Sequence, residues 1–318
     1  MSTDIKIITE PTVRLVGRLA IDEIELAGFL ADEGVETWTT DAMVAGEKLV
    51  EVAGRLCYKS YARPRPGGNA AYLGHILEVA HGSVVEHQVF NLVITGVSRS
   101  LTHEWVRHRA GFAYSQRSQR FVDEGEGRFV VPPGLDDEVA AAREWARSLA
   151  DHGYGEWGYE DLLVGLREGK VTAFGVEVAE PSCVVQAGLL WLASVEAAQR
   201  AYGRLSNYLV NRALGDLDHG FAKPFANGGT EVRKPAREAA RSLLPNATET
   251  QIFVTVNARA ARHFIEARGD AAADAEIRRV AVALLRILQA ESPNLFGDYS
   301  IADHPAGGEV VSTPHRKV

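Results

Sequence analysis

Cysteine is scarce in this chain: Cys57 and Cys183 are the only two in 318 residues. They allow one disulfide, but not a disulfide framework or a CxxC metal site. Long apolar runs are missing as well. None approaches the roughly 18 residues needed to span a bilayer, so no membrane helix is expected. The opening MSTDIKIITEPTVRL has no basic n-region and no apolar h-region, so no signal peptide is expected either. Together these lacks predict a cytoplasmic protein with reduced thiols. Three familiar signatures are absent too: a GxGxxG after a strand, a GxxxxGK(S/T) loop and a GxSxG elbow. Their absence argues against the usual dinucleotide fold, a P-loop and a hydrolase nucleophile elbow. There is no net positive charge. The formal charge is −8, which argues against general affinity for nucleic-acid backbones.

What is present is a local exception to that acidity. Ser98 to Arg120 holds Arg99, Arg107, Arg109, Arg117 and Arg120 against one carboxylate, Glu104, and contains no lysine. A guanidinium offers a planar fork of donors that matches phosphate oxygens in pairs, and an ammonium does not. An arginine-selective cluster in an acidic chain points to a pocket for small anionic ligands, or to a solvated surface of i,i+4 pairs.

The composition, 46% hydrophobic and 24% charged, is that of a globular chain with a substantial core. A strand is expected over Thr12–Gly17, and a helix over Ala42–Tyr58 with Asp41 as its N-cap. Ser60–Gly68 reads as a loop and Asn69–Val79 as a helix. Val84–Val97 reads as a long strand, and Ser98 caps a helix running into Arg109. Phe129–Val131 suggests a strand, Asp136–Ala150 a helix and Leu189–Leu214 a long helix. Gly215–Thr230 reads as a surface excursion. Pro235 is expected to start a helix that ends near Leu244-Pro245. Thr250–Val256 is a β-branched strand, Asn257 opens a helix to Arg268, and Gly269 stops it. Ala273–Glu291 is the last helix, and the tail after Pro305 is expected to be loose. The chain shows no repeat or linker, so residues 1–318 are expected to form a single α+β domain.

Three constellations could carry chemistry. In the first, Arg107 and Arg109 would diverge by about 200° if one helix carried both, and would serve different ligand groups. The second is the set His81, His87, His103 and His108. His103 and His108 are five residues apart, about 140° around a helix, so they cannot share a metal on one face. His81 to His87 (HGSVVEH) reads as a site loop, or as ordinary capping by Ser83 with Glu86 salt-bridged. In the third, Asn257 and Arg268 share one face of a helix, and Arg259 and His263 share another at i,i+4. Arg233, Lys234, Arg237 and Arg241 add charge upstream. Arg262 and Glu266 read as a solvated pair.

Arg107-His108-Arg109, eight residues, then Ser118-Gln119-Arg120 resembles the signature of flavin-dependent thymidylate synthases. LCYKS (56–60), HGSVVEH (81–87), SRSLTHEWVRHR (98–109), AREAARSLLP (236–245) and FVTVNAR (253–259) are similar to family segments in family order. The resemblance covers roughly 40–125 and 235–297. It implies an α+β fold, with a mixed or antiparallel sheet flanked by long helices, and a homotetramer with active sites at subunit interfaces. It also implies conversion of dUMP to dTMP, with FAD, NADPH as reductant and methylenetetrahydrofolate as carbon donor. Flavin contacts fall on His81, Ser83, Arg107, His108, Arg109, Gln116, Asn257, Arg259 and His263. Nucleotide contacts fall on Glu104, Arg107, Gln116, Arg117, Ser118, Gln119, Arg120, Arg241 and Arg268. Arg268 would stabilise charge on the pyrimidine during catalysis. No metal, nucleic acid or membrane partner is implied. Two departures stand out. The spacer is one residue longer than in many members, and no histidine follows Arg268 in Gly269–Ala273. Residues 123–233 are also long for the family.

Overall fold

The computed structural model describes residues 5–63, 66–151, 158–167, 172–173, 176–177, 180–215, 229–305 and 307–317. Its strands are β1 (Lys6–Ile8), β2 (Thr12–Arg18), β3 (Val89–Ser98), β4 (Phe112–Gln116), β5 (Arg128–Val130), β6 (Thr172–Ala173), β7 (Val176–Glu177), β8 (Glu249–Asn257), β9 (Ser300–Asp303) and β10 (Glu309–Ser312). Its α-helices are α1 (Glu23–Asp32), α2 (Ala45–Tyr58), α3 (Gly68–Glu78), α4 (Gly82–Val85), α5 (Arg99–Trp105), α6 (Asp136–Asp151), α7 (Tyr159–Arg167), α8 (Cys183–Ala213), α9 (Thr230–Ala240), α10 (Ala258–Arg268), α11 (Ala275–Glu291) and α12 (Pro293–Phe296). The α+β class expected from the sequence is the one observed.

The chain divides into two compact units. One comprises Pro11–Thr95, Leu101–Gln116 and Gln251–Val318; the other comprises Met1–Glu10, Gly96–Ser100 and Arg117–Thr250. The larger sheet has the order β2-β3-β8-β4. Its β2–β3 and β4–β8 pairs are antiparallel, with Leu15 opposite Leu92 and Tyr114 opposite Val254. Phe90, Leu92 and Ile94 alternate along β3 and are fully buried. The period of two therefore puts one face of the strand into the core. Helices α10 and α11 pack together, and α11 also packs on β2. Trp105 stacks on Phe264 with ring centroids 4.5 Å apart. Burying side chains of this size contributes roughly 1.5–3 kcal/mol each, so α5 and α10 are tied together by their largest residues.

In the other unit β1 pairs parallel with β5. Its core is Ile5, Phe129, Val131, Val139, Ala142, Leu149, Leu162, Leu189, Leu192 and Val195. Helices α6 and α8 cross at Gly188, where a Cβ would lie 2.0 Å from the carbonyl oxygen of Glu138. Only a glycine permits that approach.

Several expectations are corrected by competing interactions. Asp41 does not cap α2. Its carboxylate accepts the N–H of Asn69 at 2.7 Å, and the helix begins later, with Val44 at the N-cap. The strand expected from Val84 starts at Val89, because Gly82–Val85 closes a helical turn with Glu86 N–H on the Ser83 carbonyl. Pro235 lies inside α9 rather than at its start, since Gly229 accepts the N–H groups of Val232 and Arg233 and nucleates the helix earlier. Within the tail expected to be loose, Glu309–Ser312 pairs with Ser300–Asp303. Arg262 and Glu266 are not a solvated pair. Arg262 is 2% exposed and holds Asp298 at 2.7 and 2.8 Å, while Glu266 takes Arg316 at 3.0 Å. Both cysteines are free and exposed, so the one allowed disulfide is not formed. The loop expected over 60–68 is described except at 64–65, and 216–228 of the expected excursion lie outside the described residues.

Candidate active site

Helix α5 stops at Trp105, short of the arginine motif, so Arg107 and Arg109 are not on one helix. The chain leaves the helix in tight turns, with Arg107 N–H on the Glu104 carbonyl and His108 N–H on the Trp105 carbonyl. Tyr114, on β4, locks this exit. Its hydroxyl hydrogen-bonds the carbonyl oxygens of His108 at 2.6 Å and Trp105 at 3.1 Å. Burial pushes the Tyr114 hydroxyl well above the usual phenol range, so it stays protonated as a donor. Gly111 in the spacer has φ +74°, and a Cβ there would meet Ala260 Cβ at 2.6 Å and Asn257 Nδ2 at 2.7 Å. The spacer is thus pressed against the N-terminus of α10, where Asn257 caps by accepting the Ala260 N–H at 2.8 Å.

That arrangement brings three expected residues together. Arg268 Nε donates to Nε2 of His108 at 3.0 Å, and its Nη1 pairs with Glu104 Oε2 at 3.0 Å. The His108 ring is flanked by His263, Phe264 and Phe112 at 5.8, 5.3 and 6.1 Å. Burial, together with the charges of Arg268 and His263, lowers its pKa from 6.5 to about 4. His108 is therefore neutral at pH 7 and can accept from a guanidinium. Nearby, Gln116 Nε2 donates to Thr102 Oγ1 at 2.9 Å. Arg259 pairs with Glu86 at 2.6 Å, so the salt-bridged reading of Glu86 holds. His81 meets Tyr58 at 3.0 Å, and Ser83 and His263 are exposed. Arg107 and Arg109 are exposed, and their guanidiniums have no hydrogen-bond or ion-pair partner among the described residues. All these residues lie in the unit that carries α10.

The rest of the nucleotide set, Arg117, Ser118, Gln119, Arg120 and Arg241, lies in the other unit. Arg117 is committed inward. It binds Glu124 at 3.0 Å and Glu249 at 3.1 Å, and its carbonyl accepts Arg99 at 2.7 Å. Ser118 Oγ accepts the Arg120 N–H at 3.3 Å, and Arg120 approaches Glu238 at 3.7 Å. Arg241, just past α9, is exposed; burial above all, with the charges of Arg117 and Arg241, lowers the pKa of Arg99. Arg237 is anchored on the Phe121 carbonyl and Asp123. Among the described residues no group of three or more His, Cys, Asp and Glu is placed to hold a metal, and no helix is long and apolar enough to cross a membrane.

Sequence reasoning missed Tyr114, Tyr58 and Thr102. Tyr58 stands inside LCYKS, and Tyr114 inside the spacer. In both cases the signal was an aromatic hydroxyl next to the residues that carry the resemblance.

Fold and cluster define an α+β protein in which Glu104, His108 and Arg268 are joined by hydrogen bonds. The same fold occurs in the UMP/dUMP methylase PolB of Streptomyces cacaoi, solved with 5-Br dUMP. The TM-score is 0.54, with 19% identity, covering 92% of this chain and 96% of that one. Residues 40–294 match the family described as thymidylate synthase complementing protein. The flavin-dependent thymidylate synthase of Mycobacterium sp. (strain JLS) is 41% identical over 279 residues, 87% of this chain and 89% of that protein. The enzyme of the same name from Mycobacterium marinum (strain ATCC BAA-535 / M) is 39% identical over 300 residues, 93% and 96%. The chain belongs to the thymidylate synthase complementing protein family.

Proposed function

We propose that the chain is a flavin-dependent thymidylate synthase, an enzyme that reductively methylates dUMP to dTMP. In this reading methylenetetrahydrofolate supplies the carbon, and NADPH reduces the bound FAD. The enzyme works as a cytoplasmic homotetramer with its active sites at subunit interfaces. The observation that carries the reading is the Glu104–Arg268–His108 cluster, in the same unit as the exposed guanidiniums of Arg107 and Arg109, which have no partner among the described residues.

The donor set fits FAD. Arg107 and Arg109 offer unspent guanidinium forks to a dinucleotide's phosphates. His81, Ser83, His108, Gln116, Asn257, Arg259 and His263 supply the remaining contacts. Flavin, when bound, supplies the hydride chemistry. The protein's own residues bind and polarise. Arg268 is held on one side by Glu104 and on the other by His108, which leaves its remaining N–H groups for the edge of the pyrimidine. There it stabilises negative charge as N3–H ionises. Neutral His108 orients the guanidinium without repelling it. The nucleotide phosphate is neutralised by Arg120 and Arg241, with Ser118 and Gln119 beside them. Arg117, paired through its Nη groups with Glu124 and Glu249, holds that loop in place rather than reaching out of it. Among the described residues no basic side chain is bonded to the Ser118 hydroxyl, which serves in binding rather than as a nucleophile.

The test is anaerobic turnover of dUMP with FAD, NADPH and methylenetetrahydrofolate, following tritium release from the pyrimidine and thymidylate formation. Purified protein is expected to be yellow, with absorbance near roughly 450 nm as for oxidised flavins. A colourless protein that FAD cannot reconstitute would overturn the reading.

A further inference from the structure

The end of α2 and the start of α4 meet at a pair of side chains that the proposed chemistry does not yet explain. Tyr58 is the last residue of α2, and the next residue, Lys59, turns left-handed at φ 44°. His81 precedes α4 and is set by a second left-handed residue, Ala80 at φ 55°, with its own N–H on the Ile76 carbonyl at 3.0 Å. The two rings stack with centroids 5.4 Å apart and planes 22° apart, and the Tyr58 hydroxyl lies 3.0 Å from Nδ1 of His81. Tyr58 is 57% exposed. Its hydroxyl therefore has water available and is nonetheless placed on the imidazole.

A phenol is a good donor and a poor acceptor, because its oxygen lone pair is shared with the ring. The sp² nitrogen of a neutral imidazole is a good acceptor. The bond therefore runs from Tyr58 O–H to Nδ1, and a histidine bonded this way carries its proton on Nε2. We propose that Tyr58 is a positioning residue of the flavin site. It fixes His81 as the Nε2–H tautomer and leaves that N–H as a single oriented donor for a carbonyl oxygen or ring nitrogen of the isoalloxazine. The inference rests on the flavin reading above and deepens it. His81 becomes a directional donor, and α2 acquires a part in the site.

A double-mutant cycle on the full-length chain, read as FAD dissociation constants from quenching of flavin fluorescence, tests this without relying on turnover. Tyr58→Phe keeps the stacked ring and loses only the hydroxyl, and should weaken FAD about fivefold, the value of one neutral hydrogen bond. The side-chain NH₂ of glutamine sits where Nε2–H would be, and that of asparagine where Nδ1–H would be. His81→Gln should therefore bind FAD within about twofold of wild type, and His81→Asn should weaken it about fivefold or more. Adding Tyr58→Phe to His81→Gln should change nothing further. Equal FAD affinity in Tyr58→Phe and wild type would overturn the proposal. So would a Tyr58→Phe penalty that persists in the His81→Gln background, or a reversed order of the glutamine and asparagine variants. If Tyr58→Phe does not fold, the glutamine–asparagine order alone decides the tautomer. Wild-type protein that fails to bind FAD would instead overturn the flavin reading itself, a result distinct from all of these.

Discussion

Protonating His108 should cost stability, and the amount can be worked from its surroundings. The imidazole's pKa falls from 6.5 to about 4 because it is buried among aromatic rings and faces Arg268 and His263. The folded state therefore binds the proton less tightly than the unfolded chain. At pH 7 the folded ring is neutral and the unfolded one only about a quarter protonated, so the penalty is about 0.2 kcal/mol. As the pH falls through 6.5 the unfolded chain gains a proton that the folded protein refuses, and stability is lost until the folded group titrates near 4. Linkage puts the loss between pH 7 and pH 5 at about 1.8 kcal/mol for a fully buried group. The ring is only partly buried, and solvent screening roughly halves this, to about 1 kcal/mol. His108→Gln keeps a carbonyl that can accept from Arg268 and cannot be protonated. Urea unfolding at pH 7 and pH 5 would compare the two proteins. The wild type should lose about 1 kcal/mol more than the variant over that interval. An identical pH dependence in both would refute the account of a neutral His108 under Arg268.

Three further outcomes are expected. Arg268→Ala should keep FAD but lose dUMP binding and turnover, as read by equilibrium binding and thymidylate assay, and normal turnover would contradict its role. Arg109→Ala should weaken FAD retention on gel filtration, whereas unchanged retention would remove it from the flavin set. Arg262→Met should destabilise the fold by about 2–4 kcal/mol in urea, because Asp298, mostly buried, loses its cation and keeps only the Thr313 hydroxyl. A loss below about 1 kcal/mol would show that solvent reaches that carboxylate.

Local rules made much of the fold legible. The alternation in β3, the Asn257 cap and the Gly269 stop each depend on neighbours in sequence, and each stands close to where the sequence put it. The expectations that moved depend on distant partners. Asp41 was taken by Asn69, 28 residues away, and Arg262 by Asp298, 36 residues away. No window of the sequence displays those choices, since a cap and an i,i+4 pair look equally good until the competing partner is in place. In the candidate site the grouping of Glu104, His108 and Arg268 is geometric. The sequence set Asn257 and Arg268 on one face of α10, but it did not show that α5 ends at Trp105 or that Tyr114 pins the exit.

The C-terminal segment has a consequence for how the protein is made. Arg262 reaches the carbonyl of His315, Glu266 takes the Lys317 N–H and the Arg316 side chain, and Thr313 hydrogen-bonds Asp298. All of this bears on α10, which also presents Arg259, His263 and Arg268. That helix leaves the ribosome some fifty residues before its last anchors do. Those late contacts reinforce the ones that Trp105, His108 and Glu104 make to the same helix, so a substitution near residue 315 is expected to loosen α10 and be felt at Arg268.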